Sequence, residues 1–445
     1  MISSDNSIIP SRMSCKCRFR RDLRDERIDY SRKRSVYFDY AASTPVDPAV
    51  LGAWDRACRR IAGNPASLNV CGLDAWNLLE ESRAAVAGYF HRAPEEIFFC
   101  GSGTEALAAG IGGMIERYPD IPIVTSCIEH SAVRHPLRLR ELAGGRVRFL
   151  PIDSKGKLDP LSAARAVEEA ASTLGEGPAG AAEVPTAREK GGRAGNPAAL
   201  LVLSAVHHET GTVQPIKEIV EAVRRKTPGC AVLIDAVQAA SRLAPSEWAP
   251  YSEMFAVSGH KIYAPPGIAV LCKSREFLGK PFRLRPLRFG GGQEGNLFPG
   301  TPNLPGAAAT AEALAILSRS REEETRRLRV LGSEGLDILR KAGIPFVLES
   351  PDDAAPGLIN LSFPWAGDMT RFFIELGRNL ICTSRFSACT ESVGGPSRVL
   401  EALGVPRERT RTSVRLGFGR FSKREDFFRL ADILTIMYKR TGTSK

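Results

Sequence analysis

Seven short, almost wholly apolar runs, each followed by a turn or a helical segment, limit this chain more than any other feature. They are Ile97 to Cys100, Ile123 to Cys127, Val147 to Ile152, Leu200 to Val206, Val232 to Ala236, Met254 to Val257 and Ile268 to Cys272. Runs of four to seven apolar residues without polar alternation fit strands covered on both faces. Helical stretches such as Ala75 to Tyr89 and Ile216 to Lys226 lie between them, so an α/β fold with a mostly parallel, doubly covered sheet is expected. A short strand and a proline-punctuated turn at 36–50 lead in.

Beyond residue 305 the pattern changes scale. A long helix is expected from Gly306 to about Ala342, broken near Gly332. Strands follow at Phe346 to Leu348, Ile359 to Phe363, Leu380 to Cys382 and Val414 to Phe418, with helices at 369–377, 397–403 and 423–440. The expected organisation is therefore an N-terminal extension (1–35), a large domain (36–305) and a smaller C-terminal α/β domain (306–445). Residues 175–199 are rich in Gly, Ala, Pro and charge, which predicts a disordered insertion.

The formal charge is +11, but residues 1–35 hold ten Lys/Arg against five Asp/Glu. Much of the excess is thus a property of the tail, which weakens a nucleic-acid reading. No apolar run reaches the roughly 18 residues that cross a bilayer, and the opening lacks a signal-peptide pattern, so a cytoplasmic protein without membrane contact is expected. Ten cysteines without framework spacing predict reduced thiols, and Cys15-Lys16-Cys17 has no second pair with which to hold a metal.

Candidate chemistry sits where the apolar runs end. Lys261, in Ser258-Gly259-His260-Lys261, follows the run Met254 to Val257; such an amine can form a Schiff base with an aldehyde cofactor. Ser102-Gly103-Thr104 lies between strand and helix, where free backbone N–H groups favour a phosphate. Asp235 ends a strand and suits either a pyridinium nitrogen or a helix N-cap. Taken singly each has an ordinary structural explanation. The order phosphate turn, Glu129-His130, Asp235 with Gln238, then Lys261 is what pyridoxal phosphate (PLP) requires at the carboxyl ends of parallel strands.

From about Val36 to Phe421 the chain resembles the PLP-dependent cysteine desulfurases of the NifS/IscS type, class V aminotransferases of PLP fold type I. The motifs are Phe38-Asp39-Tyr40-Ala41-Ala42, Gly63-Asn64-Pro65-Ala66-Ser67, Glu129-His130-Ser131-Ala132-Val133, Glu209-Thr210-Gly211, Asp235 to Gln238, Ser258 to Lys261, Gly290-Gly291-Gly292-Gln293-Glu294, Pro299-Gly300-Thr301, Ser387-Ala388-Cys389 and Ser413-Val414-Arg415. The resemblance implies that Lys261 holds PLP and shuttles protons, that His130 stacks on its ring, and that Asp235 pairs with the ring nitrogen. Gln238 and His208 would face the ring hydroxyl. Gly103, Thr104, Ser258 and His260 would bind the phosphate, joined by Thr301 of a second subunit in a homodimer. Arg415 would clamp the carboxylate of L-cysteine, and Cys389 would take the sulfur as a persulfide for delivery to an acceptor protein serving iron-sulfur cluster assembly or tRNA thiolation.

The chain departs from the family at several points. His207-His208 replaces asparagine before Glu209, Arg385-Phe386 replaces a glycine-containing stretch before Cys389, Gly295 and Phe298 stand where arginines are usual, and Asn69 stands for histidine. Two other functions stand beside this one: a selenocysteine lyase or another class V lyase or aminotransferase, and a degenerate PLP-fold scaffold, which these departures make possible.

Overall fold

The structure, a computed structural model, describes residues 35–60, 63–172, 196–386 and 396–442. Strand β1 (Val36–Tyr37) and helices α1 (Pro48–Arg60) and α2 (Val70–Phe90) come first. Asn69 caps α2, its Oδ1 accepting from the Gly72 amide at 2.9 Å. Then follow β2 (Ile97–Cys100), α3 (Gly103–Arg117), β3 (Ile123–Ser126), α4 (Ser131–Leu142), β4 (Val147–Leu150), α5 (Pro160–Ser172), β5 (Ala199–Ser204), α6 (Ile216–Lys226), β6 (Cys230–Asp235), β7 (Met254–Ser258) and β8 (Ala269–Lys273). Every expected strand of the large domain forms, within two residues of its expected ends.

These strands make one seven-stranded sheet in the order β2-β8-β7-β6-β5-β3-β4. The pairs β3–β4, β3–β5, β5–β6 and β6–β7 are parallel, while β8 is antiparallel to both β7 and β2. β8 is therefore the one reversed strand, and β2, β3, β5, β6 and β7 all end on the same edge. Side chains alternate between two cores. Leu201, Leu203, Val232, Ile234, Phe255 and Val257 enter one, and Leu200, Val202, Ala231, Leu233, Met254 and Ala256 enter the other. Burial on both faces is why the strands read as unbroken apolar runs.

The large unit spans Ser43–Thr325 with Pro351–Ala355; the second takes the chain up to Ala42, Arg326–Ser350 and residues from Pro356 on. A small antiparallel hairpin, β9 (Glu276–Phe277) with β10 (Lys280–Pro281), follows β8. Helix α7 (Leu304–Lys341) runs unbroken, contrary to the break expected at Gly332. There the missing side chain makes room for a ring, since a Cβ would lie 3.1 Å from Phe418 Cζ.

The second unit holds β11 (Val347–Leu348), β12 (Leu358–Ser362), α8 (Met369–Arg378), β13 (Ile381–Cys382), α9 (Arg398–Ala402), α10 (Arg407–Arg411), β14 (Ser413–Gly417) and α11 (Arg424–Gly442). β12 is flanked by β11 and β14 in an antiparallel sheet, and β1 pairs in parallel with β13. Phe38, Phe363, Phe418 and Phe427 fill its core. The expected insertion lies mostly outside the described residues. Among the described residues no helix is long and apolar enough to cross a membrane.

Candidate active site

The shared edge of β2, β3, β5, β6 and β7 collects most of the expected site. Open parallel sheets bind ligands outside the carboxyl ends of their strands. β2 leads into α3 through Ser102, whose side chain accepts from the Glu105 amide at 3.1 Å. The Gly103 and Thr104 amides have no carbonyl of their own helix to bond, so they offer donors at the positive end of the helix dipole. Gly103 is needed here for a spatial reason. A Cβ would lie 2.9 Å from Val237 Cγ2 and 3.3 Å from Ser258 Cβ. The turn expected to take the phosphate is thus packed directly on the residues that follow Asp235 and end β7.

Asp235 is buried, and its Oδ1 accepts from the Val237 amide at 3.0 Å. Burial pushes its carboxyl up to about 6, against the hydrogen bond from Val237 and the charge of Lys261. A carboxylate held there at neutral pH calls for a cationic partner. Gln238, also buried, lies 3.4 Å by Oε1 from the Arg242 Nε donor.

Lys261 ends a single 3-10 turn, Gly259–Lys261. Sequence reasoning overlooked what holds this turn. The Thr44 amide and hydroxyl both donate to the His260 carbonyl, at 2.8 and 3.1 Å, and the Thr44 hydroxyl accepts from the Tyr263 amide at 2.8 Å. Tyr263 adopts φ +69, a left-handed conformation costly for a bulky residue, and its hydroxyl lies 3.1 Å from Glu324 Oε1. Burial, then the Lys261 charge, pushes His260 down to about 4, so it is neutral at physiological pH.

His130 caps α4, its Nδ1 accepting from the Ala132 amide at 3.1 Å. The preceding Glu129 is buried and ties β3 to β5: Oε1 accepts from Ser126 Oγ at 2.6 Å, and Oε2 from the Ser204 amide at 3.0 Å and from its hydroxyl. Burial pushes Glu129 up to about 7, although the Ser126 and Ser204 bonds oppose it. After β5 the His208 ring meets His130 edge-on, with centroids 5.0 Å apart.

Thr301 is exposed, and Asn64 Nδ2 lies 3.5 Å from its hydroxyl. The loop before it is anchored by Glu294, which takes both terminal nitrogens of Arg83 (2.7 and 2.8 Å) and the Phe99 amide (2.7 Å). Gly295 follows at φ +61, where a Cβ would lie 2.9 Å from the Phe98 ring, and Phe298 is buried. A side chain at Gly295 would be strained and would crowd Phe98, while Phe298 packs into the core.

In the second unit Arg415 is buried on β14. Its Nη2 lies 3.2 Å from Asp39 Oδ1 and 2.8 Å from Ser384 Oγ, and the Ser384 hydroxyl donates to the same Asp39 oxygen at 2.7 Å. Arg385 stacks on Phe386 and donates to the Arg411 carbonyl at 2.7 Å. Cys389 itself lies outside the described residues. Among the described residues no cluster of His, Cys, Asp and Glu could hold a metal.

The donor set fits PLP. Asp235 supplies a buried anion for the ring nitrogen, and the side-chain-free approach at Gly103 leaves backbone donors for a phosphate. Lys261 supplies an amine whose charge is felt at Asp235.

Comparison with known proteins agrees. The aminotransferase class-V family profile matches residues 36–174 and 193–430. An IscS protein of Bacillus subtilis is 30% identical, over 86% of this chain and 93% of its own length. The cysteine desulfurase IscS of Dictyoglomus turgidum is 28% identical, over 92% of this chain and 96% of its own. Among solved structures, a NifS-like protein superposes with TM-score 0.76 at 24% identity, covering 92% of this chain and 100% of that one, which speaks to the fold. SspA in complex with cysteine superposes with TM-score 0.67 at 26% identity, covering 87% of this chain and 100% of that one.

Proposed function

The chain belongs to the aminotransferase class-V family, and from that premise we propose that this PLP-dependent cysteine desulfurase converts L-cysteine to L-alanine and carries the sulfur on Cys389. The supporting observation is the buried Asp235, electrostatically coupled to Lys261 on the sheet edge that also carries the phosphate turn.

When bound, the cofactor supplies an electron sink for the substrate amine carbon. Asp235 would keep the ring nitrogen protonated, and Gln238 and His208 would face the ring hydroxyl. The Gly103 and Thr104 amides, with Ser258 and neutral His260, hold the phosphate. Lys261 Nζ holds the cofactor and then moves protons, with His130 beside it. Arg415, held by Asp39 and Ser384, presents a planar fork to the substrate carboxylate. The Cys389 thiolate attacks the substrate sulfur; the carbon–sulfur bond breaks as the sulfur–sulfur bond forms, leaving alanine and a Cys389 persulfide. Two equivalents of an external thiol reduce that persulfide, releasing sulfide and restoring the Cys389 thiol, and are joined to each other as a disulfide.

The active form is a homodimer. Leu68, Val70, Leu73 and Trp76 stand exposed at and before the start of α2, an apolar face suited to a second copy, and Thr301, which is exposed, would serve a partner's phosphate site. The sulfur passes to an acceptor protein of iron-sulfur cluster assembly or tRNA thiolation in the cytoplasm. The test supplies L-cysteine and a reductant and measures alanine and sulfide. Wild type should release both in equal amounts, and Cys389→Ser should lose sulfide release. Unchanged sulfide release by the variant overturns the persulfide route.

A further inference from the structure

The histidine pair that stands where the family has asparagine has a structural role of its own. His207 is buried, with both ring nitrogens engaged. Its Nε2 lies 2.9 Å from the Ile128 carbonyl, which can only accept, so Nε2 carries the proton. Nδ1 then accepts from the Glu209 amide at 3.3 Å, with the Thr210 hydroxyl 3.2 Å away. The backbone is fixed too: the His207 amide donates to Thr212 O at 2.8 Å, and the Gly211 amide to His207 O at 2.9 Å. Burial, then the neighbouring His208, pushes His207 down to about 3, so it stays neutral and moves no proton near pH 7.

The three imidazoles are in contact. The His207 and His208 centroids are 4.5 Å apart at 44°, and those of His208 and His130 are 5.0 Å apart at 85°. His208 Nε2 lies 3.6 Å from buried Glu209 Oε1. His207 therefore fixes the carbonyl two residues before His130 and backs the ring that meets His130 edge-on. An asparagine in place of His208 would present no ring to that edge.

We propose that His207 and His208 are positioning residues for His130, a brace in which His207 anchors the loop at Ile128 and the His208 ring sets the plane of the His130 imidazole. The proposal rests on the assignment of His130 as the group that faces the cofactor ring. It gives His208 a task that its contact with the cofactor hydroxyl does not cover, and the two tasks respond oppositely to substitution. Asparagine can restore a polar contact but no ring; phenylalanine restores the ring but no polar contact.

The test uses the full-length holoenzyme with His208→Ala, His208→Asn, His208→Phe and His130→Ala. Readouts are kcat and KM for L-cysteine, the visible circular dichroism of the bound cofactor, and Tm. His208→Ala should lose about tenfold or more in kcat with KM little changed, and should alter the dichroism, because a small misplacement of a catalytic group is costly. His208→Phe should recover most of that loss and the wild-type dichroism, and His208→Asn should recover neither. Full recovery by Asn with none by Phe overturns the brace. Should His130→Ala keep wild-type rate and dichroism, the assignment of His130 falls and the brace with it. An impaired His130→Ala beside a fully active His208→Ala removes the brace alone. The chain has six histidines, so imidazole nitrogen NMR of unsubstituted protein gives a check independent of any variant's folding. A slowly exchanging Nε2–H with an unprotonated Nδ1 should mark His207 from pH 5 to 8, and a titrating His207 overturns the anchor.

Discussion

Replacing Asp235 by asparagine should stabilise the cofactor-free protein, and more so as pH rises. Burial raises the carboxyl from 3.8 to about 6. A carboxyl whose folded value is raised favours the fold below the unfolded value and loses that advantage as pH climbs through the folded one. A shift of about two units corresponds to about 3 kcal/mol of cost at pH 8, where Asp235 is ionised in both states, and about half of that at pH 5. An asparagine side chain at this position carries no such cost. His207 and His260, whose values are depressed, act in the opposite direction, losing stability as pH falls. Only the difference between variant and wild type therefore isolates Asp235. Urea unfolding of both apoproteins at pH 5 and pH 8 measures it: Asp235→Asn should be the more stable, by roughly 1 to 2 kcal/mol more at pH 8 than at pH 5. With PLP bound the order should invert, since the ring nitrogen gives the carboxylate its counter-charge and asparagine cannot. A pH-independent difference, or a variant less stable than wild type as apoprotein at pH 8, refutes the claim that Asp235 is held ionised at a cost.

Two further outcomes follow from the contacts around the site. Arg83→Met leaves the buried Glu294 carboxylate without its forked partner and should cost about 3 to 5 kcal/mol in urea unfolding; a loss under about 1 kcal/mol would mean solvent reaches the pair. Thr44→Val removes the hydroxyl shared by the His260 carbonyl and the Tyr263 amide. It should lower kcat with KM for L-cysteine little changed, while Thr44→Ser restores the rate. Equal activity of Val and Ser variants would show that the lysine turn holds itself.

The sheet was legible because its central strands are buried on both faces, so that apolar runs such as Leu200 to Val206 and Met254 to Val257 mark them directly. The gathering of the candidate site residues was legible for a related reason: parallel strands end on one edge, and each motif follows its strand. What joins the parts was not. Glu294 and Arg83 are 211 residues apart, and Thr44 is 216 from His260, so no local pattern announces either tie. The left-handed Tyr263 is equally hidden, because a bulky residue gives none of the signal that glycine or asparagine would. Continuity of α7 through Gly332 escaped for the opposite reason. A glycine in a helix reads as a break, and only the Phe418 ring shows that the space is filled.

These ties explain why a site with several departures from its family can keep its form. The groups proposed to meet the cofactor are few, and each is held from behind by contacts that the departures leave in place: Asp235 by Val237, His130 by Ala132, Lys261 by the Thr44 clamp on its turn. Gly295 and Phe298 are accommodated by local packing against Phe98 and within the core below α3. The histidine pair is different in kind, because it adds a part-buried ring beside His130 instead of preserving an existing contact. Asp235 and Glu129 show what burial costs in such a pocket, a cost that the Lys261 charge does not offset at Asp235. Two buried carboxyls raised to about 6 and about 7 oppose ionisation, and they do so within electrostatic reach of each other. A pocket of that kind is more stable with a cation at Asp235 than without one, so binding the cofactor and stabilising the fold draw on the same charge.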